Sequence, residues 1–131
     1  MSKKGRNPEN EDLYPETESF TALVSPNIFV VVSNSLATPN PVLLVKRLAQ
    51  QAVWTSATTS ALLTSIEIDV GSKPKPFPGT VVNGILSLPA STSGVCASGP
   101  IEAAVQPPVT YTYRTKIGGA PGPRAGIRID P

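Results

Sequence analysis

The stretch VTYTYRTKI, residues 109–117, decides the fold class. Its odd-numbered positions hold valine, two tyrosines, threonine and isoleucine, and its even-numbered positions hold polar or charged side chains. Successive side chains of an extended chain point to opposite sides, and β-branched and aromatic residues favour strands. The alternation therefore predicts a β-strand whose odd-numbered side chains, Tyr111 and Tyr113 among them, pack in a core.

Shorter stretches of the same character occur on both sides of this strand. Residues 62–70 end in strict alternation of isoleucine or valine with acidic side chains, which predicts a strand with one buried side. Over residues 43–53 a helix is the alternative, but we favour strand, turn and strand. We predict further strands at residues 20–24, 27–32, 42–48, from 53–55 onward, 80–88 and 127–129.

Proline, glycine, asparagine and serine separate these stretches, as expected for turns and loops. Asn83 and Gly84 form either a turn or a bulge. Residues 90–99 form either a loop or a weak edge strand, and residues 101–105 form only a short segment. We predict turns or loops at residues 34–40, 55–61, 73–79 and 118–123.

Many short strands with turn residues between them predict an all-β fold, an antiparallel Greek-key β-sandwich. A chain of 131 residues is long enough for one core, so we place a single domain at residues 17–131. Residues 1–16 are polar and charged, which predicts a flexible, disordered N-terminal arm. The alternative is an arm that docks on a partner through Leu13 and Tyr14.

The composition excludes much chemistry. The chain has no histidine, so a Ser-His-Asp or Cys-His pair and an imidazole metal ligand are absent. The single cysteine, Cys96, excludes an intrachain disulfide, and we expect it to be a small buried apolar residue. Glu67 and Asp69 are two carboxylates on one strand face, which we interpret as a solvated face rather than a calcium site. We predict no catalytic residue, no cofactor and no metal.

The charge distribution bears on partners. The net charge of +2 is too small to indicate nucleic-acid binding. Residues 1–18 carry three bases and five acids, while residues 19–131 carry eight bases and four acids. We expect a protein partner or self-association, and neither nucleic acid, a membrane nor a small-molecule substrate. The candidate partner-binding residues are Lys73, Lys75 and Phe77 in the proline loop and Leu13 and Tyr14 in the arm.

No secretory leader is evident near the first residue. Lys3, Lys4 and Arg6 resemble the basic start of a leader, but acids and prolines follow where an apolar segment would lie. An exported protein would need another route, or a leader missing from this sequence. We therefore expect a cytoplasmic protein by default, or a component of a virion or another assembly.

Six pieces of the sequence, taken in order over residues 41–131, resemble cupredoxin-like domains. They are PVLLVKR (41–47), VWT (53–55), PFPG (76–79), SGPI (98–101), YTY (111–113) and AGIRIDP (125–131). Copper-binding members place a histidine after the tryptophan strand, and a cysteine and a further histidine near the tyrosine strand. Residues 55–62 and 114–123 hold none of these. The resemblance implies a cupredoxin-like or immunoglobulin-like sandwich that lacks the copper ligands.

Two kinds of function are consistent with these features of the sequence. The first is a non-catalytic, metal-free cupredoxin-like module that binds a protein partner or serves as a scaffold. The second is a structural subunit of a larger assembly, such as a virion decoration protein or a surface lattice. The second rests on a charge-poor body flanked by the arm at residues 1–16 and an extended tail at residues 118–131. Nothing in the sequence supplies a nucleophile with an adjacent base, so we expect no enzyme.

Overall fold

The computed structural model describes residues 26–131, so the predicted arm at 1–16 and the predicted strand at 20–24 lie outside the described residues. No helix in the described part is long and apolar enough to span a membrane. The elements are β1 (Asn27–Ser33), β2 (Leu36–Thr38), β3 (Val42–Val45), a 3₁₀ helix (Lys46–Leu48), β4 (Gln51–Ser56), β5 (Leu63–Asp69), β6 (Val81–Val82), β7 (Ile85–Pro89), β8 (Val95–Ala97), β9 (Val109–Ile117) and β10 (Ala120–Asp130).

These strands form two sheets, and the predicted all-β sandwich is confirmed. One sheet has four strands in the order β2-β1-β4-β8, and the other has six in the order β3-β10-β9-β5-β7-β6. In the described part, six of the eight strand pairings are antiparallel, while β1–β4 and β3–β10 are parallel. Two parallel neighbouring strands need a long connection that crosses from the end of one to the start of the other. The connection from β1 to β4 meets this need by passing through β3 in the other sheet. The sheets are therefore mixed rather than wholly antiparallel.

The core lies between the two sheets. β9 supplies Tyr111, Tyr113 and Thr115, each about 1% exposed, as its alternation predicts. The alternating end of the predicted strand at 62–70 is likewise buried on one side. The largest fully buried side chains are Trp54, Tyr111, Tyr113, Phe77, Leu44, Leu63, Ile66, Ile68, Leu86, Ile127, Ile129 and Val30.

The prediction of a loop at 118–123 and of an extended tail beyond it is wrong. β10 starts at Ala120 and pairs with β9, so residues 120–130 lie inside the six-stranded sheet. Gly118 and Gly119 have φ of 59° and 85°, which suits a tight two-residue hairpin turn. The register shifts between Pro121 and Arg124, and this irregularity is where the strand accommodates its prolines.

One shorter prediction also needs correction, at residues 34–40, and the short segment at 101–105 is now defined. Residues 34–40 are not a turn throughout, because Leu36–Thr38 pairs with β1 after a turn at Asn34 and Ser35, whose φ values are 51° and 69°. Residues 101–105 form no strand, although Val105 is buried. A strand of three residues or fewer is too short to show a recognisable alternation of apolar and polar residues in the sequence.

The remaining alternatives are resolved by the structure. Residues 42–53 form strand, turn and strand, and the turn is the 3₁₀ helix. β4 begins at Gln51 rather than within 53–55 and continues to Ser56. Asn83 and Gly84 form a turn between β6 and β7, with φ of 52° and 77°. Within residues 90–99, Val95–Ala97 is an edge strand beside β4.

Candidate interaction surface

The two lysines of the predicted partner-binding loop are tied to the domain itself. Lys73 Nζ donates to the Thr110 carbonyl at 2.6 Å and lies 5.2 Å from the ring centroid of Tyr111. Lys75 Nζ donates to the Gly79 carbonyl at 2.7 Å. Both ammonium groups therefore hold the loop in shape, and a partner would compete with these bonds.

Phe77 is not available to a partner. Its side chain is 0% exposed and belongs to the core cluster, so its assignment to a partner-binding surface is wrong. The Tyr111 hydroxyl donates to the Pro74 carbonyl at 2.5 Å and fixes the start of the same loop. The loop at 73–79 is thus a packed connection. Leu13 and Tyr14 lie outside the described residues.

The carboxylates of β5 have structural partners. Glu67 accepts hydrogen bonds from Ser87 Oγ at 2.5 Å and from Ser65 Oγ at 3.3 Å. Asp69 lies 3.8 Å from Arg124, with both side chains about half exposed. Among residues 26–131, no three His, Cys, Asp or Glu side chains are grouped to hold a metal ion.

Cys96 is a buried thiol, as expected from its sequence context. It is 1% exposed, and its Sγ donates to the Leu88 carbonyl at 3.5 Å. Burial removes water from the thiolate and raises the pKa of Cys96 from 9.0 to about 11. The group is therefore protonated at neutral pH and is a poor nucleophile.

One groove in the described part is open and is lined mainly by polar and charged residues. It has a volume of about 330 Å³ and lies at one end of the six-stranded sheet, against Asp69, Ser72, Lys73, Thr110 and Thr112. Ligand pockets in proteins are mostly apolar and enclose most of the ligand. This groove does not have that character.

Charge is distributed unequally between the two sheets. The strands of the four-stranded sheet contain no charged residue. The six-stranded sheet carries Glu67, Asp69, Arg114, Lys116, Arg124, Arg128 and Asp130. The domain thus has one charged outer face and one uncharged outer face.

The uncharged outer face carries four exposed, large apolar side chains among neutral polar ones such as Thr38 and Thr55, and we call it the apolar face. Phe29 is 58% exposed, Val31 45%, Leu36 58% and Val95 38%. The strand register gives the layout, since paired residues of adjacent strands share a side. One row runs Phe29–Val53–Ala97, and the next runs Thr38–Val31–Thr55–Val95.

β1 contributes apolar side chains to both sides of its sheet. Val30 and Val32 are buried in the core, while Phe29 and Val31 point outward. A continuous apolar run of this kind is typical of strands that are covered on both sides. The run IFVVV at residues 28–32 was the available signal for this surface. The sequence alone did not reveal this surface, because its other exposed apolar residues, Leu36 and Val95, join Phe29 and Val31 only through strand pairing.

Comparison with known proteins is sparse. No protein-family model and no curated protein sequence matches the chain. Among solved structures, a chain described as reduced rusticyanin shares 14% identity with this one, with a TM-score of 0.36. The likeness covers 88% of this chain and 95% of that chain. The all-β sandwich rests on the strands and sheets described above.

Proposed function

We propose that this chain is a non-catalytic, metal-free cupredoxin-like β-sandwich that acts as a protein-binding or scaffold module through its apolar face. The observation that carries the proposal is the exposure of Phe29, Val31 and Leu36 together on a sheet face without charge. Contiguous exposed apolar surface on a soluble domain marks interaction sites. Aromatic side chains are enriched, and most charged side chains are depleted, in the cores of protein interfaces.

The chemistry of the remaining residues supports a non-catalytic role. The chain contains no histidine, and its single thiol is buried and protonated at neutral pH. Glu67 accepts hydrogen bonds from two serine hydroxyls, and it lines a shallow, open groove on the charged outer face beside Arg114 and Arg124. No serine has an imidazole base to activate it, and the hydroxyl–carboxylate contacts at Glu67 lie on the open outer face of the sheet.

The second candidate is a structural subunit of a larger assembly. A lattice subunit needs at least two contact surfaces, and β6 at the edge of the other sheet offers one. Its Val82 is 62% exposed and its Val81 36%. Exposed apolar edge strands are sites where another chain can add. This candidate predicts open-ended association that a change at Val82 weakens, whereas the first predicts a complex of fixed size.

Site-specific photo-crosslinking tests the proposal. A benzoylphenylalanine placed at Val31, in the full chain and in the cells that make it, is expected to yield a defined protein adduct. The matched control carries the same group at Thr112, which is exposed on the charged outer face. Adducts from position 112 and none from position 31 would contradict the proposal.

A further inference from the structure

We infer that the apolar face binds a second copy of this chain, with the two four-stranded sheets packed face to face about a twofold axis. This inference rests on the proposed function and names its partner. In a twofold contact the same patch serves both copies, so it must be complementary to itself. Whether the apolar face can pair with itself depends on its charge, the layout of its side chains and its size.

The charge of the face fits self-association. In a twofold interface, a charged side chain near the axis would meet its own like charge. The four strands of the apolar face carry no charged side chain, and residues 19–45 hold none at all. A face built for an acidic or basic partner would carry the opposite charge. Recognition here therefore rests on apolar contacts and on neutral polar side chains such as Thr38 and Thr55.

The layout of the face also fits a second copy. Phe29, Val53 and Ala97 form one row on three adjacent strands, with the bulky ring at one end and a methyl group at the other. A twofold axis in the interface plane, running along β4, exchanges the two ends of the row. Each Phe29 then lies over the small Ala97 of the other copy, and each Val31 lies opposite Val95. The largest side chain of the row thus meets the smallest, and two valines of equal size meet in the next row, which suits close packing.

The size of the face sets the strength of the contact. Four strands spaced about 4.8 Å apart, with about five residues each at roughly 3.3 Å, give a projected face of about 320 Å². Two such faces together fall in the small class of interfaces, below about 1,200 Å². The dimer is therefore weak and reversible, and it forms as the concentration rises.

The first experiment measures molar mass by light scattering for the full chain from about 5 to about 500 µM, a range that brackets a micromolar dissociation constant. We expect the mass to rise from 13.7 kDa toward twice that value. Val31→Lys, which puts a charge in the contact, is expected to remain monomeric. Thr112→Lys adds the same charge on the opposite face and is expected to dimerise like the parent chain.

A charge-pair exchange tests the arrangement itself. Val95→Glu alone is expected to be monomeric, and mixing it with Val31→Lys is expected to restore a dimer of one copy of each, since positions 31 and 95 face each other. Circular dichroism shows that each variant is folded. If Val31→Lys fails to fold, Val95→Lys on the edge strand takes its place in the molar-mass experiment, where it is expected to remain monomeric.

The outcomes separate this inference from the proposed function. A parent chain that stays at 13.7 kDa across the whole range overturns the second-copy partner. If position 31 then crosslinks to a different protein, the protein-binding proposal stands without this inference. If position 31 crosslinks to nothing, both fail. A dimer that Val31→Lys leaves intact shows that another surface is used, and overturns the inference as well.

Discussion

Trp54 of β4 and Tyr113 of β9 join the two sheets through the centre of the core. Trp54 Nε1 donates to the Tyr113 hydroxyl at 3.0 Å, and the ring centroids lie 5.3 Å apart with planes at 63°. Both side chains are at most 1% exposed. Edge-to-face rings of this kind attract each other beyond their buried area. The Tyr113 hydroxyl therefore supplies the hydrogen-bond acceptor that the buried Trp54 N–H needs, in a place that water cannot reach.

Replacing Tyr113 by phenylalanine tests this hydrogen bond. Tyr113→Phe keeps the ring but leaves the Trp54 N–H without its acceptor, so we expect a loss of about 1–3 kcal/mol in the free energy of unfolding. Urea unfolding followed by the fluorescence of the single tryptophan measures it. Tyr111→Phe is the control, because its hydroxyl is only partly buried, and we expect a smaller loss. Equal losses of unfolding free energy in the two variants would show that the Trp54–Tyr113 hydrogen bond contributes no more than the Tyr111–Pro74 one.

The sequence predicted those parts of the fold in which one strand carries its own pattern. β9 and β5 alternate over several residues, so their buried sides could be assigned without knowing their neighbours. β2 and the first part of β10 were missed, because a three-residue strand and a proline-rich stretch lack that pattern, whereas the end of β10 at 127–129 was predicted as a strand. The apolar face was missed for another reason. Phe29 and Ala97 share a row only because β4 lies between their strands. The pattern of residues within one strand does not reveal which strands are its neighbours in the sheet.

Gly122 lies at the irregular point of β10, where a side chain does not fit. A Cβ there would lie 2.8 Å from Ser35 Cβ and 2.9 Å from both the Ser35 carbonyl and Thr115 Oγ1. We expect Gly122→Ala to destabilise the fold by about 1–3 kcal/mol, because the β1–β2 turn must shift. Thermal and urea unfolding measure the change.

The matched control for that change is Gly118→Asn. Gly118 has φ of +59°, and no atom lies within 4 Å of the position that a Cβ would take. Asparagine adopts this left-handed conformation readily. We expect the effect of Gly118→Asn on the free energy of unfolding to stay within about 1 kcal/mol. If Gly122→Ala proves as mild as Gly118→Asn, the contact with Ser35 is not a constraint on the fold.

The loop at 73–79 contributes to stability mainly through one side chain. Phe77 is fully buried, so Phe77→Ala should leave a cavity and cost about 3–5 kcal/mol. Lys75→Ala removes one exposed bond to the Gly79 carbonyl, and we expect a change of about 0.5 kcal/mol or less. Urea unfolding of both variants checks the contrast. A mild Phe77→Ala would show that the loop does not close the core.

Burial of Cys96 should make the fold sensitive to alkali. Its pKa is raised from 9.0 to about 11, so above pH 9 the unfolded chain loses the proton while the folded chain keeps it. The free energy of unfolding should therefore fall by about 2 kcal/mol between pH 9 and 11, with no effect below pH 9. Cys96→Ala removes this part of the slope and leaves the part due to Tyr111 and Tyr113, whose pKa values are also raised by burial. Urea unfolding of parent and variant from pH 8 to pH 11 compares the slopes, and parallel curves would show that the buried thiol does not control them.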